Sequence, residues 1–161
     1  MKTAFLYLAI ILLPLISFSQ SKFSSGLSMG LISIDKENGL NENFYIGYNT
    51  SKNITIGIDG MISKIDVGNI SVKTNSVIGY IEAGLPDRGI VKGKLYFSGI
   101  LGLGYFEQKN DFFNVNAGCF FGGTKFNYLI SPKIVLGIKS GYYISKLDNA
   151  IIANLFCTYK F

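Results

Sequence analysis

The feature that most constrains this chain is a two-residue alternation over its last twelve residues, Ala150–Phe161. One row of this alternation is apolar throughout and consists of Ile151, Ala153, Leu155, Cys157, Tyr159 and Phe161. The other row contains Asn154, Thr158 and Lys160. Because side chains of a strand point alternately to its two faces, the pattern predicts a strand with one apolar face.

The same alternation recurs along the chain and predicts an all-β fold. Clusters of Asn, Asp, Gly, Lys and Pro separate the alternating runs, and after the first twenty residues no run has the helical period over two turns. We expect eight strands, over residues 23–34, 43–50, 54–63, 72–85, 94–106, 112–126, 134–144 and 150–161.

The length and the charge pattern of these strands favour a barrel that crosses a membrane. About ten residues at about 3.3 Å each, tilted by about 40°, span roughly 25 Å, the height of the apolar band of such a barrel. Each strand has one row nearly free of charge, whereas a soluble barrel would have its polar rows outside. The rows opposite the apolar ones carry Asp59, Glu82, Lys94, Lys139 and Lys160. We therefore predict an eight-stranded antiparallel up-and-down transmembrane β-barrel with its short turns at 51–53, 86–93 and 127–133 on the side of the termini.

The predicted inner rows combine glycines with large rings, which indicates a filled lumen. Eight strands enclose just enough space for side chains, so an open channel is not expected. Four charged residues form a predicted polar network in the lumen: Asp59, Glu82, Lys94 and Lys139. Since an unpaired buried charge is costly, we expect them to form ion pairs, although the same residues could line a small polar pore.

The first 19 residues have the layout of a signal peptide. Lys2 precedes an apolar run from Ala4 to Ile16, and Ser17 and Ser19 put small residues at the minus-three and minus-one positions before Gln20. We therefore expect residues 1–19 to be removed and residues 20–161 to form one barrel domain.

The two cysteines are predicted to be free thiols that face lipid. Cys119 falls on the sixth strand and Cys157 on the eighth, both on rows that we assign to the outer face. Two interstrand spacings separate them by roughly 9–10 Å, which exceeds the limit of about 7 Å between the Cα atoms of a disulfide.

Residues 20–161 resemble the small outer-membrane β-barrels of the OmpA/OmpX type. The resemblance rests on the export signal, the alternating strands, the turn Ile130-Ser-Pro-Lys133 and the terminal Tyr159-Lys160-Phe161. It implies a monomeric barrel in the outer membrane of a Gram-negative cell, in contact with outer-membrane lipid. It also implies an assembly signal for the outer-membrane assembly machinery, formed by Leu155, Cys157, Tyr159 and Phe161.

The sequence offers little for catalysis or cofactor binding. Histidine is absent, and neither cysteine has a partner at metal-ligand spacing, so we predict no catalytic residues, no metal and no cofactor. The formal net charge of +5 is scattered, which does not favour nucleic acid as a partner. The predicted function is structural or surface-interacting and not enzymatic. The alternatives are a small pore and a soluble exported barrel that binds an apolar ligand, as lipocalins do.

Overall fold

Eight strands form one closed antiparallel barrel. The computed structural model describes residues 22–51, 53–67, 70–84 and 94–161. In these residues lie β1 (Phe23–Ile34), β2 (Glu37–Asn49), β3 (Ile54–Val67), β4 (Ile70–Gly84), β5 (Leu95–Lys109), β6 (Asn114–Ser131), β7 (Ile134–Ser145) and β8 (Asn149–Lys160). The predicted fold class is confirmed. The predicted signal peptide, residues 1–19, and the turn predicted at 86–93 lie outside the described residues.

The last strand closes the barrel, as its alternation predicts. β8 pairs with β1 from Ser24 opposite Lys160 to Ile34 opposite Ala150. Beyond the last strand residue, the Phe161 amide donates to the Phe23 carbonyl at 3.0 Å. Closure pairs the two edges of the sheet, which a strand in hydrocarbon could not leave open.

The outer face of the barrel is an apolar band. Leu103 and Leu155 are each 70% exposed, and Ile62 is 67% exposed. A soluble monomer rarely exposes so large a continuous apolar surface, whereas a strand that faces lipid requires it. Among the described residues, no helix has the length and apolarity needed to cross a membrane.

The strands extend further than the sequence predicted at the end remote from the termini. A two-residue turn at Asp35 and Lys36, with φ of 49° and 74°, joins β1 directly to β2. Such positive φ values match the twist of a tight hairpin. The predicted strands 23–34 and 43–50 left residues 35–42 as a loop between them, and that part of the prediction is wrong. The polar residues of this segment belong to the alternation of β2, because Asn41 turns into the lumen in the same row as Asn43, the first residue of the predicted strand.

The predicted faces of β6 are reversed. Cys119 and Phe121 point inward and are buried, whereas Phe120 is 40% exposed on the outer face. The prediction assigned the inner row of this strand to the side of Asn114 and Asn116. Both residues are exposed at the outer end of the strand, so they do not indicate which row faces the lumen. Cys119 and Cys157 are both free, but only Cys157 faces lipid.

Candidate functional site in the barrel lumen

The middle of the lumen contains two ion pairs that connect opposite walls. Alternation places Asp59 of β3 and Lys139 of β7 on inner rows, and the closed barrel brings the two side chains into contact across the lumen. Their side chains are 8% and 2% exposed. The second carboxylate oxygen of Asp59 accepts from Asn43 Nδ2 at 3.0 Å. This pair is therefore desolvated and hydrogen-bonded, as a buried charge requires.

A chain of amides connects this pair to the β1–β8 seam. Asn154 Nδ2 donates to Asn43 Oδ1 at 2.8 Å and to Ser28 Oγ at 3.2 Å. Tyr45 and Thr158 share a short hydroxyl–hydroxyl hydrogen bond on the same side of the lumen. The closing strand is thus connected to the polar centre by side chains as well as by the backbone ladder.

The second ion pair joins Glu82 of β4 to Lys125 of β6. Lys125 Nζ lies 2.6 Å from Glu82 Oε2, and Ser98 Oγ donates to Glu82 Oε1 at 2.6 Å. Asn127 Nδ2 donates in turn to Ser98 Oγ at 3.2 Å. Both carboxylates at the centre therefore have one ammonium partner and at least one neutral donor.

Aromatic rings surround the Lys125 ammonium. Its Nζ lies 4.6 Å from the ring centroid of Tyr45, 5.3 Å from that of Phe156 and 5.7 Å from that of Tyr80. The negative faces of such rings attract a cation, and they also exclude water from it. Aromatic packing and ion pairing therefore close the same section of the lumen.

Inner glycines make room for these rings. A Cβ added at Gly57 would lie 2.7 Å from Tyr80 Cζ, and one added at Gly137 would lie 2.7 Å from Phe156 Cζ. At both positions a backbone carbonyl oxygen of the neighbouring strand, that of Ile46 or of Phe126, lies closer still, so a side chain larger than hydrogen would collide with the barrel wall as well as with a buried ring. The cavity left among the two ion pairs and the nearby rings measures about 10 Å³, which is at the lower limit for a single water molecule.

The predicted network residues differ in where the structure places them. Asp59 and Lys139 form one pair, and Glu82 lies in the other. Lys94 is exposed before the start of β5 and does not join the network, so the structure corrects that assignment. Lys125 takes its place, because the inner row of β6 is the opposite of the predicted one. Lys125 and Asn127 are two residues apart and therefore share one row, and this pair of polar residues was the signal that could have shown which row of β6 faces the lumen.

A small pocket opens at the mouth remote from the termini. It has a volume of about 310 Å³, and Asp35, Gln108 and Asp148 are among its lining residues. Gln108 Nε2 donates to Asp148 Oδ2 at 2.8 Å. Burial and the neighbouring Asp35 carboxyl raise the pKa of Asp148 above its ordinary value. The mouth thus carries the carboxyls of Asp35 and Asp148 in close contact.

The predicted assembly residues lie together on the outer face of β8. Leu155, Cys157 and Tyr159 are exposed there, and the rings of Tyr159 and Phe161 meet edge to face with centroids 5.1 Å apart. Their placement in one apolar row at the barrel's end agrees with the alternation read from the sequence.

Comparison with known proteins identifies the fold but no close relative. No protein-family model and no curated protein matches the sequence. The solved structure of Neisserial surface protein A matches at a TM-score of 0.70 and 12% identity, over 86% of this chain and 96% of that one. Ail of Yersinia pestis matches at 0.55 and 15%, again over 86% and 96%. The outer-membrane enzyme PagL matches at 0.54 and 10%, over 84% and 99%. These likenesses show that the chain has the fold of the small eight-stranded outer-membrane β-barrels.

Proposed function

We propose that the protein is a monomeric, non-enzymatic barrel of the outer membrane that acts as a structural or surface-interacting element and conducts no solute. The observation that supports the proposal is the dense packing of charged and aromatic side chains in the middle of the lumen. Two ion pairs and the rings around them leave a central cavity of about 10 Å³, which is too small for a hydrated ion. Any specificity then belongs to the outer face and the mouth.

Conductance measurements test this proposal against the pore alternative. Wild-type protein inserted into planar bilayers is expected to give no single-channel steps. The variant Asp59→Ala/Lys139→Ala serves as a control that inserted barrels can be detected. It removes one of the two ion pairs of the lumen and is expected to raise the frequency of conducting events. Regular steps from the wild-type protein would refute the closed barrel and support a pore.

The apolar-ligand alternative makes the opposite prediction for location. A soluble carrier has a polar outside and an apolar cavity, whereas here the apolar residues are outside and the centre is charged. Cell fractionation distinguishes the two. We expect the protein in the detergent-extracted membrane fraction, with faster gel migration before boiling. Release by osmotic shock without detergent would contradict the proposal.

We also propose that the outward row of β8 ending at Phe161 is read by the outer-membrane assembly machinery. The support is the continuous apolar outer face of the strand that closes the barrel. Phe161→Ala is expected to lower the amount of folded barrel in the membrane several-fold in cells. Phe97→Ala is the matched control, because Phe97 is also an outward ring, 42% exposed. Equal losses in both variants would point to general destabilisation and refute a signal.

A further inference from the structure

The pocket at the mouth remote from the termini has three kinds of surface. Its volume of about 310 Å³ is at the lower end of the range for ligand sites in proteins, which suits a small molecule. Carboxyls lie at its rim, apolar side chains form its wall, and buried polar side chains lie at its floor. We propose that this pocket binds a short aliphatic amine that carries a hydrogen-bond donor at its other end, with the ammonium group at the rim.

The rim is acidic and receives no cation from the protein. Asp35 and Asp148 are in close contact, and Glu37 is a third carboxyl of the lining. None of the three belongs to an ion pair among the described residues, and the described lining includes no basic residue. Lys36, which lies between two of these carboxyls in the sequence, is exposed outside that lining. Two carboxylates in contact repel each other, so a cation between them stabilises both.

The composition of the wall indicates that the cation is organic. Four apolar residues form the wall: Ile34, Ile65, Val72 and Phe113. A metal ion such as Ca²⁺ takes about six to eight oxygen ligands and gains nothing from an apolar surface. The hydrocarbon chain of an amine, in contrast, is removed from water when it packs on these side chains.

The floor carries a polar group that the protein leaves unused. Gln108 lines the pocket with 8% of its surface exposed, and its Nε2 donates to Asp148 at 2.8 Å. Directly opposite Gln108 on β4 is Thr74, which is fully buried and points into the lumen in the same row as Val72. The hydroxyl of Thr74 has no hydrogen-bond partner among the described residues. Since buried polar groups are almost always hydrogen-bonded, this floor is suited to a polar group from outside the chain.

A ligand with these features matches the three surfaces in order. Its ammonium group binds between Asp35 and Asp148, its hydrocarbon chain packs on the wall, and its far end meets the floor at Thr74. This assignment gives a ligand to the surface-interacting role proposed above and rests on that role. It makes no use of whether ions pass the middle of the lumen.

Solution NMR of the refolded, isotope-labelled barrel in detergent micelles tests the ammonium site. The probes are aminobutanol, pentylamine, pentanol and magnesium chloride. Aminobutanol is expected to shift the amide signals of Asp35, Gln108 and Asp148 saturably, with half-saturation in the millimolar range, because a ligand of so few atoms gains little free energy. Pentanol has the same size but no charge and should bind at least ten-fold more weakly. Equal saturation by pentanol or by Mg²⁺ would overturn the proposal.

The variant Asp35→Asn/Asp148→Asn removes the charges of the site. Aminobutanol binding should weaken about ten-fold, the loss expected when a charge-assisted hydrogen bond is removed. The matched control is Asp66→Asn/Asp111→Asn, which removes two exposed carboxyls at the same end of the barrel, outside the described lining, and gives the same net charge. It should bind like the wild type. Equal loss in both variants would reduce the effect to general attraction of cations and overturn the proposal.

Two adjacent rings provide a matched test of the wall. Phe113 lines the pocket, whereas Phe112 is 82% exposed and lies outside the described lining. Aminobutanol affinity should fall several-fold in Phe113→Ala and stay unchanged in Phe112→Ala. Equal effects of the two substitutions would overturn the apolar contact. Migration of unboiled samples verifies that each variant is folded.

Thr74→Val tests the floor. Valine matches the shape of threonine but lacks its hydroxyl. Wild-type protein should bind aminobutanol several-fold more tightly than pentylamine, which has a methyl group in place of the hydroxyl, and the variant should lose this preference. A preference retained in the variant would overturn the role of the floor. All these readouts report on the mouth, so their failure is distinguishable from a failure of the conductance prediction.

Discussion

Replacing Lys139 by methionine measures how well the lumen is sealed. Methionine keeps the length and the apolar stem of lysine but removes the ammonium group, so Asp59 loses its ion-pair partner at a position where its side chain is 8% exposed. Removing one partner of a buried pair costs about 3 to 5 kcal/mol, because the other charge stays buried and unpaired. Asn43 still donates to Asp59 at 3.0 Å. We therefore expect a loss near the lower end, about 3 kcal/mol.

The assay is urea unfolding of the barrel in lipid vesicles, followed by circular dichroism and by gel mobility without boiling. The chain contains no tryptophan, so the usual fluorescence signal is replaced by these two probes. Agreement between the two transitions supports the use of a single free energy of unfolding.

The double variant Asp59→Asn/Lys139→Met provides the control. With both charges removed, no unpaired charge remains, and replacement of a buried pair by neutral groups is often close to neutral in stability. We expect the double variant to recover most of the loss. If Lys139→Met alone costs less than about 1 kcal/mol, the value for an exposed pair, water reaches Asp59 and the sealed-lumen reasoning is refuted.

Three further predictions test other parts of the barrel. Gly137→Ala should lower the free energy of unfolding by about 1 to 3 kcal/mol, because an added Cβ meets the Phe126 carbonyl oxygen and the Phe156 ring. Gly99→Ala, with no atom within 4 Å of an added Cβ, should be neutral or slightly stabilising. Equal effects in the two variants would contradict the close packing at Gly137. The pKa of Asp148 is raised in the folded state, so its contribution to stability is largest at low pH and is lost as pH rises through that pKa. Asp148→Asn should therefore raise the unfolding midpoint at pH 7, and the difference should vanish toward about pH 4. A difference independent of pH would rule out ionisation as the cause. A membrane-permeant maleimide added to folded barrels in bilayers should modify the exposed Cys157. It should leave Cys119, which is 6% exposed, unmodified until the barrel unfolds. Comparable rates of modification at the two cysteines would contradict the faces assigned to β6.

The sequence by itself determined the fold. The two-residue period is local, since neighbouring side chains on a strand must point to opposite faces. The position of Asp59, Glu82 and Lys139 opposite the apolar rows then indicates which face meets lipid. The alternation of the last strand also predicted that it pairs with the first, because an open edge is not tolerated in a membrane.

Only the tertiary structure decided which charges meet. Lys139 is 80 residues from Asp59, and Lys125 is 43 residues from Glu82. Their contacts depend on the register of every strand pair in between, since a shift of one residue turns a side chain from the lumen to the lipid. The reversed faces of β6 are an example. Because the inner and outer rows of this strand were exchanged, the prediction left Lys125 out of the polar network and placed Cys119 in lipid. Pairing across a closed barrel is a global property, and no local pattern contains it.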